Sequence, residues 1–221
     1  AGQGKIGLAN GLMGIYPATG DVVFNGNKLT LNDPMAAIHS GLAFVSEDRK
    51  GVGLLLDESI EGNIVFSSMQ TRNDYLTKVG PFRFKDSKKI RQHALNMIKE
   101  LDIRCTSPLQ SVGSLSGGNQ QKVCVARALT LNPTLLLVSE PTRGIDIGAK
   151  KLVLDLLMKL NEEYGMTIVM TSSELAELRS ICDRIVIVCE GRVEGVLAPD
   201  APDADFGLMM SGSQHNGREE A

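Results

Sequence analysis

The eight residues Leu115–Lys122, Leu-Ser-Gly-Gly-Asn-Gln-Gln-Lys, constrain the fold more than any other stretch of this chain. Two adjacent glycines remove side chains where a backbone must approach something closely. A helical pattern follows, with Val123, Ala126 and Arg127 at three- and four-residue spacing. Ser-Gly-Gly alone could be a turn before an ordinary helix. A serine and free backbone N–H groups at a helix N-terminus also form an anion site, usually occupied by phosphate.

Composition and charge argue against several functional classes. The chain has 221 residues, 43% of them hydrophobic, which is enough for one large domain with a buried core. Its net charge of −3 and its 4% of aromatic residues, none of them Trp, predict no nucleic-acid partner. The four cysteines show no metal-binding spacing. No apolar run reaches membrane-spanning length, so we expect any membrane to be spanned by another chain.

The first residues match half of a phosphate-binding loop. Glycines in such a loop let backbone N–H groups wrap phosphates, and a lysine reaches the terminal oxygens. Gly2, Gly4 and Lys5 fit this pattern, but Ile6 stands where a magnesium-binding hydroxyl is required. The first glycine and the strand that feeds the loop would lie before Ala1, so we expect the chain to be a fragment of a longer protein.

The next hundred residues predict a hairpin, a buried strand and a helical region. Asn25-Gly26 between apolar residues indicates a tight β-turn. Residues 42–45 form a short apolar run typical of a buried strand. Residues 57–113 are predicted to be mostly helical, most clearly over 87–101, where apolar residues recur on one face.

Strands and helices alternate in the second half of the chain. Residues 135–138, 167–170 and 185–188 predict strands, and the first is apolar throughout, as in a parallel sheet covered on both faces. Such alternation implies βαβ units and a mostly parallel sheet. Residues 200–221 are predicted to be loosely ordered. The helix after the first strand is predicted to bury Leu152, Val153, Leu156, Leu157 and Leu160.

Three segments together resemble a known family. They are Glu47–Gly51, Leu115–Lys122 and Glu140–Asp146. Essentially the whole chain, 1–221, resembles the nucleotide-binding domain of ABC transporters, and these segments resemble the C-terminal ATPase half of bacterial sugar importers. The resemblance implies an α/β P-loop NTPase (RecA-like) fold: a mostly parallel sheet, an antiparallel β subdomain and an α-helical subdomain at about 57–113.

The resemblance also implies how ATP is bound. In that family two ATPase halves pair head to tail, and each ATP lies between the P-loop of one half and the signature of the other. Glu140 matches the general base that follows the Walker B strand. The positions implied to contact the nucleotide are Gly2, Gly4, Lys5, Glu47, Ser116, Gly117, Gly118, Gln120, Asp146 and Ser173.

Four departures from the family pattern predict that the site built on Lys5 is degenerate. Ile6 and Ser139 replace the two protein ligands of Mg²⁺, so no metal-ligating residue is predicted in this chain. Glu47 replaces a glutamine that senses the γ-phosphate, and Ser173 replaces a histidine. We therefore expect Glu140 to be vestigial, with Mg²⁺ at the site of the partner half and weak or absent at this one.

The resemblance implies partners and a location as well. They are a second ATP-binding half, expected to be the N-terminal half of the same polypeptide, transmembrane permease subunits, and indirectly a periplasmic or surface substrate-binding protein. The expected location is cytoplasmic, peripheral on the inner face of the cell membrane. Leu54, Leu55, Leu56 and Ile60 are candidates for contact with the permease. Two alternatives stay open: a soluble ABC ATPase, and a non-catalytic nucleotide-binding or regulatory module. The sequence does not distinguish a sugar from a nucleoside as the transported substrate.

Overall fold

The computed structural model describes the backbone of residues 5–212 and the side chains of residues 7–212. The helices are α1 (Lys5–Leu12), α2 (Pro34–His39), α3 (Ile60–Arg72), α4 (Ser87–Glu100), α5 (Gly117–Leu129), α6 (Ile147–Tyr164), α7 (Leu175–Ile181) and α8 (Asp203–Met210). The strands are β1 (Val23–Phe24), β2 (Asn27–Lys28), β3 (Leu42–Val45), β4 (Leu76–Val79), β5 (Phe82–Lys85), β6 (Leu135–Ser139), β7 (Thr167–Thr171), β8 (Ile185–Cys189) and β9 (Arg192–Leu197). A π-helical turn (Arg49–Gly53) follows β3, and a 3-10 turn (Val112–Ser114) precedes α5.

A three-stranded parallel sheet of order β3-β6-β7 forms the centre of the molecule. Successive side chains of β6 point to opposite faces, and both faces are covered. Leu136 packs into the main core with residues of α3, α5 and α6, whereas Leu137 packs with Ala9 and Met13 near α1. Burial on both faces explains why β6 is apolar over 135–138, and the predicted parallel sheet is confirmed.

The β1–β2 hairpin is also confirmed. Asn25 and Gly26 have φ values of 49° and 77°, the left-handed conformations that this turn requires. Helix α6 buries four of the five residues predicted for its stripe, but the prediction for Leu152 is wrong. Leu152 is exposed because it lines an open cleft beside α5.

The region 57–113 contains a β-hairpin as well as the predicted helices. Helix α4 begins after Asp86, whose carboxylate accepts a hydrogen bond from the Lys89 N–H at 3.0 Å. Between α3 and α4, however, β4 and β5 pair antiparallel through the turn Gly80-Pro81. The prediction of a mostly helical region therefore needs this correction. Alternating polar and apolar residues around a Gly-Pro turn favour strands over a helix here.

The C-terminal part differs from the prediction in two ways. Strand β8 pairs antiparallel with β9 and does not join the parallel sheet. The expectation that 200–221 is loosely ordered is wrong for α8, because Phe206 is buried against Ile185 and Ile187. Phe206, together with Met209, therefore packs α8 onto the β8–β9 hairpin.

Candidate functional site

The signature segment forms a loop that turns into helix α5 at Gly117. Ser116 is the N-cap residue, with φ −61° and ψ 156°, and its hydroxyl caps no backbone N–H. That hydroxyl is exposed and accepts a hydrogen bond from Asn119 Nδ2 at 3.0 Å. The first N–H groups of a helix have no intrahelical acceptor. The start of α5 therefore offers a hydroxyl and backbone donors to an anion.

Gly118 is required by packing between α5 and α6, and Gly117 also lies in a tight position. A Cβ on Gly118 would lie 2.8 Å from Cβ of Ala149, a distance that real side chains do not adopt. A Cβ on Gly117 would lie 3.3 Å from the carbonyl oxygen of Gly144. The close approach predicted from the glycine pair is thus made, at least in part, by the protein's own α6.

Gln120 is directed into the protein. Its side chain is only 5% exposed, and its amide donates to the carbonyl oxygens of Val112 and Leu115 at 3.3 and 3.2 Å. Its Oε1 accepts a bond from Arg49 Nε at 3.2 Å. The side chain therefore holds the signature loop in place and has no free group to contact a nucleotide.

Arg49 is a site residue whose role the sequence did not reveal. It is buried, and besides Gln120 it donates to the carbonyl oxygen of Arg143 at 3.5 Å. It thereby joins the segment after β3 to both the signature and the segment after β6. Its only signal in the sequence is its place within the charged run Glu47–Lys50, a pattern more typical of a solvated surface.

Asp146, which the resemblance implied as a nucleotide contact, lies beside the signature. Its carboxylate caps α6 by accepting the Ala149 N–H at 2.9 Å. Asp146, Ser116 and Gly118 line one open cleft of about 250 Å³. Lys122 lines it too, with its ammonium held by the carbonyl oxygen of Asp102 at 2.7 Å.

The second group of predicted residues lies at the carboxyl ends of the three parallel strands. Glu47 follows β3, Glu140 follows β6 and Ser173 follows β7, so the sheet places them along one edge. The Ser173 hydroxyl donates to Glu140 Oε2 at 3.0 Å. One carboxylate oxygen of Glu47 is buried without a hydrogen-bond partner among the described residues. Gly2 and Gly4, and the side chain of Lys5, lie outside the described residues.

Ser139 is turned away from this edge. It is fully buried, and its hydroxyl is paired with that of Thr171 at 3.0 Å. Glu140 has a left-handed φ of 44°, which is uncommon outside glycine, and its N–H donates to the carbonyl oxygen of Thr171 at 2.8 Å. The chain thus turns sharply at Glu140, which directs the carboxylate towards Ser173 while Ser139 stays in the core.

A buried carboxylate joins the loops after β6 and β7. Glu177 accepts hydrogen bonds from Thr142 Oγ1 at 2.6 Å and Ser172 Oγ at 3.0 Å, and pairs with Lys150 Nζ at 3.3 Å. Burial raises the pKa of Glu177, but these bonds outweigh it, so the pKa lies below its ordinary value. Glu177 gave no signal in the sequence because its partners are up to 35 positions away.

Two further findings concern metals and membranes. No cluster of three or more His, Cys, Asp or Glu side chains suited to a metal ion occurs among the described residues. Within the same part of the chain, no helix is long and apolar enough to span a bilayer.

Comparisons with known proteins identify the family. Residues 1–143 match the model of the ABC transporter family. A ribose import ATP-binding protein RbsA of Bacillus cereus is 38% identical over 200 residues, which cover 90% of this chain and 39% of the relative. The protein of the same name from Lactococcus lactis subsp. lactis is 39% identical over 215 residues, covering 96% and 42%.

A solved structure agrees with these relatives. A dimeric ATP-binding cassette in a post-hydrolysis state, bound to ADP and Pi, matches with a TM-score of 0.72 and 25% identity, over 91% of this chain and 83% of that one. The fold is that of an ABC-type P-loop NTPase cassette, and this chain belongs to the ABC transporter ATPase family. It spans about two fifths of the length of the curated relatives it matches.

Proposed function

We propose that this chain is one ATP-binding half of a bacterial ABC importer for ribose or a related sugar. It completes the ATP site of a partner half through its signature, while its own nucleotide site is degenerate. The observation that carries the proposal is the exposed start of α5, where Ser116, Gly118 and Asp146 line one cleft. The relatives named for ribose import, similar over nearly the whole chain, support the substrate class.

The start of α5 fits a phosphate. The helix dipole and the first N–H groups favour an anion there, and the Ser116 hydroxyl is exposed to donate a further bond. The site is open on the solvent side, so a second protein surface must supply the rest of the nucleotide contacts. The dimeric cassette with bound ADP and Pi is consistent with a partner half in that place.

The residues of the chain's own site do not fit Mg²⁺. A metal ligand must present an oxygen to the ion, but Ser139 is buried and its hydroxyl is paired with Thr171. Ile6 has no ligating atom. Glu140 already accepts a bond from Ser173, which cannot act as a base at neutral pH. These features support a site that contributes little to hydrolysis.

The test compares three variants in the whole protein assembled with its membrane subunits. Ser116→Asp keeps a good N-cap residue, so the fold is retained, but it places a carboxylate against the incoming phosphate. We expect steady-state ATPase activity to fall about 100-fold, the loss typical of a missing oxyanion contact. Ser114→Asp, in the same loop and also exposed, is the matched control and should change the rate little.

Glu140→Gln separates the two sites. If the site on Lys5 is degenerate, this change should cost the assembled protein less than about half of its ATPase rate, since Glu140 would serve only that site. A loss as large as that of Ser116→Asp would show that this half hydrolyses ATP and would refute the degenerate site. Calorimetry on the chain should also give ATP binding that depends little on Mg²⁺.

The partners proposed are a second ATP-binding half, transmembrane permease subunits and, indirectly, a substrate-binding protein, with the chain on the cytoplasmic face of the membrane. The segment predicted to contact the permease is only partly exposed on the surface. Of the four candidates, Leu54 and Ile60 are core residues, Leu56 is half-buried against the core, and Leu55 is exposed, as is the neighbouring Val52. The Asn63 side chain exchanges two hydrogen bonds with the backbone of Leu55, both of 2.9 Å, which fixes the segment. Crosslinks from cysteines at 52 and 55, and none from 54 or 60, would support this contact.

A further inference from the structure

The β4–β5 hairpin is the most exposed element of the helical region. Every residue of β5 is exposed, and so are three of the four residues of β4. The strands are joined by the two-residue turn Gly80-Pro81, in which Gly80 has a φ of +60°. Proline fixes the turn, so the hairpin tip is a preorganised projection.

The tip of the hairpin is apolar. Val79, Gly80, Pro81 and Phe82 carry no charge or side-chain hydrogen-bonding group. Val79 and Phe82 are paired across the strands and are 60% and 66% exposed. Phe84, 56% exposed, lies on the same face, with its ring centroid 6.4 Å from that of Phe82. Apolar side chains grouped at the tip of a projecting element mark a contact surface.

Positive charges follow directly behind the tip. Lys78 and Arg83 are cross-strand partners, and Lys85 lies two residues further along β5. Like charges directly opposite each other destabilise a hairpin, and a two-stranded hairpin is only marginally stable alone. An anionic surface would relieve this repulsion. Residues 72–91 contain seven Lys and Arg against two Asp, a net charge of +5, whereas the whole chain carries −3.

Arg91 pairs with Glu61 and Lys89 with Asp86, whereas the hairpin cations Lys78, Arg83 and Lys85 have no carboxylate partner among the described residues. The Asp86 carboxylate caps α4 and lies 3.6 Å from Lys89, and Asp74 accepts a bond from the Ser68 hydroxyl. Arg83 also donates to the side-chain oxygen of Asn73, which is uncharged. The positive charge of the hairpin itself, on Lys78, Arg83 and Lys85, is therefore not neutralised by a neighbouring carboxylate among the described residues.

We propose that the β4–β5 hairpin binds the surface of an anionic phospholipid bilayer. The uncharged tip enters the membrane interface, and the cations behind it contact lipid phosphates. This arrangement matches a lipid leaflet, in which the apolar region lies deeper than the phosphate groups. An acidic protein surface would satisfy the cations but gives no reason for an apolar tip that projects beyond them. The proposal rests on the membrane location in the proposed function, but not on its ATPase activity.

The experiment measures partitioning of the 221-residue chain onto vesicles by cosedimentation. We expect binding to vesicles rich in phosphatidylglycerol, weaker binding at high salt, and little binding to pure phosphatidylcholine vesicles. Each cation near an anionic surface contributes about fivefold to partitioning, so Lys78→Gln/Lys85→Gln should weaken it about 30-fold. Phe82→Ser should weaken it about tenfold or more.

Matched controls come from exposed residues elsewhere. Lys151→Gln/Arg192→Gln removes the same charge, and Val193→Ser removes an exposed apolar side chain from the β8–β9 hairpin. Both should bind vesicles like the parent chain. Equal losses in variants and controls, binding to both lipids alike, or no vesicle binding would each overturn the proposal. If the chain fails to bind vesicles while Ser116→Asp still lowers the ATPase rate of the assembled protein about 100-fold, the hairpin proposal alone is refuted.

Discussion

Gly118→Ala tests whether the glycine pair of the signature is required by helix packing. The new Cβ would lie 2.8 Å from Cβ of Ala149, about 1 Å closer than ordinary contact. Both atoms are bonded directly to helical backbone, so no flexible side chain can move aside. The start of α5 and the start of α6 must separate for the substitution to be accommodated.

Two opposing effects set the expected loss of stability. Overpacking a close contact costs about 1–3 kcal/mol. Replacing glycine by alanine within a helix returns up to about 1 kcal/mol, and less in the first turn. The free energy of unfolding should therefore fall by about 1–2 kcal/mol. For a domain of this size that corresponds to a decrease of a few degrees in the thermal midpoint.

Urea unfolding of the chain, followed by circular dichroism, measures the effect, and a second substitution identifies its cause. Ala149→Gly removes the atom that the new Cβ meets. The free energy of unfolding of the double variant Gly118→Ala/Ala149→Gly should therefore exceed, by about 1 kcal/mol or more, the value expected if the two single changes were additive. Gly148→Ala is the control, because its Cβ would meet nothing closer than Asp146 Oδ1 at 3.5 Å. Additive single changes, or a neutral Gly118→Ala, would refute the packing argument.

Three buried polar groups give further tests. The pKa of Glu177 is lowered in the folded protein, so ionised Glu177 stabilises the fold at neutral pH. This stabilisation is lost as the pH falls below the ordinary value of 4.5 and through the folded pKa. Glu177→Gln should therefore flatten the decrease in the free energy of unfolding at acid pH, as measured by urea titrations at a series of pH values. Burial raises the pKa of Cys124 to about 12, so little of the thiol is ionised at mildly alkaline pH. Iodoacetamide should therefore leave Cys124 unmodified in the folded chain and alkylate it in urea. Rapid alkylation of the folded chain would contradict this. Arg49→Met leaves Gln120 Oε1 buried without its donor and should lower the free energy of unfolding by about 1–3 kcal/mol, and an unchanged urea midpoint would refute that role.

The parallel sheet could be predicted because burial on both faces leaves a plain mark in the sequence. Residues 135–138 are apolar without interruption, as expected of a strand covered by helices on two sides. The β4–β5 hairpin left a weaker mark, since its strands are exposed and its composition matches a solvated helix face. Its polar and apolar residues do alternate, but over only four residues on each side of the turn, which is a weak signal beside the longer helical pattern of 87–101.

Residues of the candidate site could be singled out where a motif implies their role, but not where the role depends on a distant partner. Asp146, implied by the resemblance as a nucleotide contact, lies beside the signature in the structure. Gln120 belongs to the same motif, yet its amide is used within the protein by partners that include Arg49, 71 positions away. The glycine pair shows a further limit of prediction from sequence. A glycine indicates that another group lies close to the backbone, but it does not show whether that group is a phosphate or the side chain of Ala149.

The segment 140–150 connects the two candidate sites physically. It begins at Glu140, on the sheet edge, and reaches Asp146 and Ala149, which contact the cleft and the start of α5. Glu177 holds this segment through Thr142 and Lys150. Because breaking buried charged hydrogen bonds is costly, Glu177 stabilises the conformation of the segment that lies between the two candidate sites.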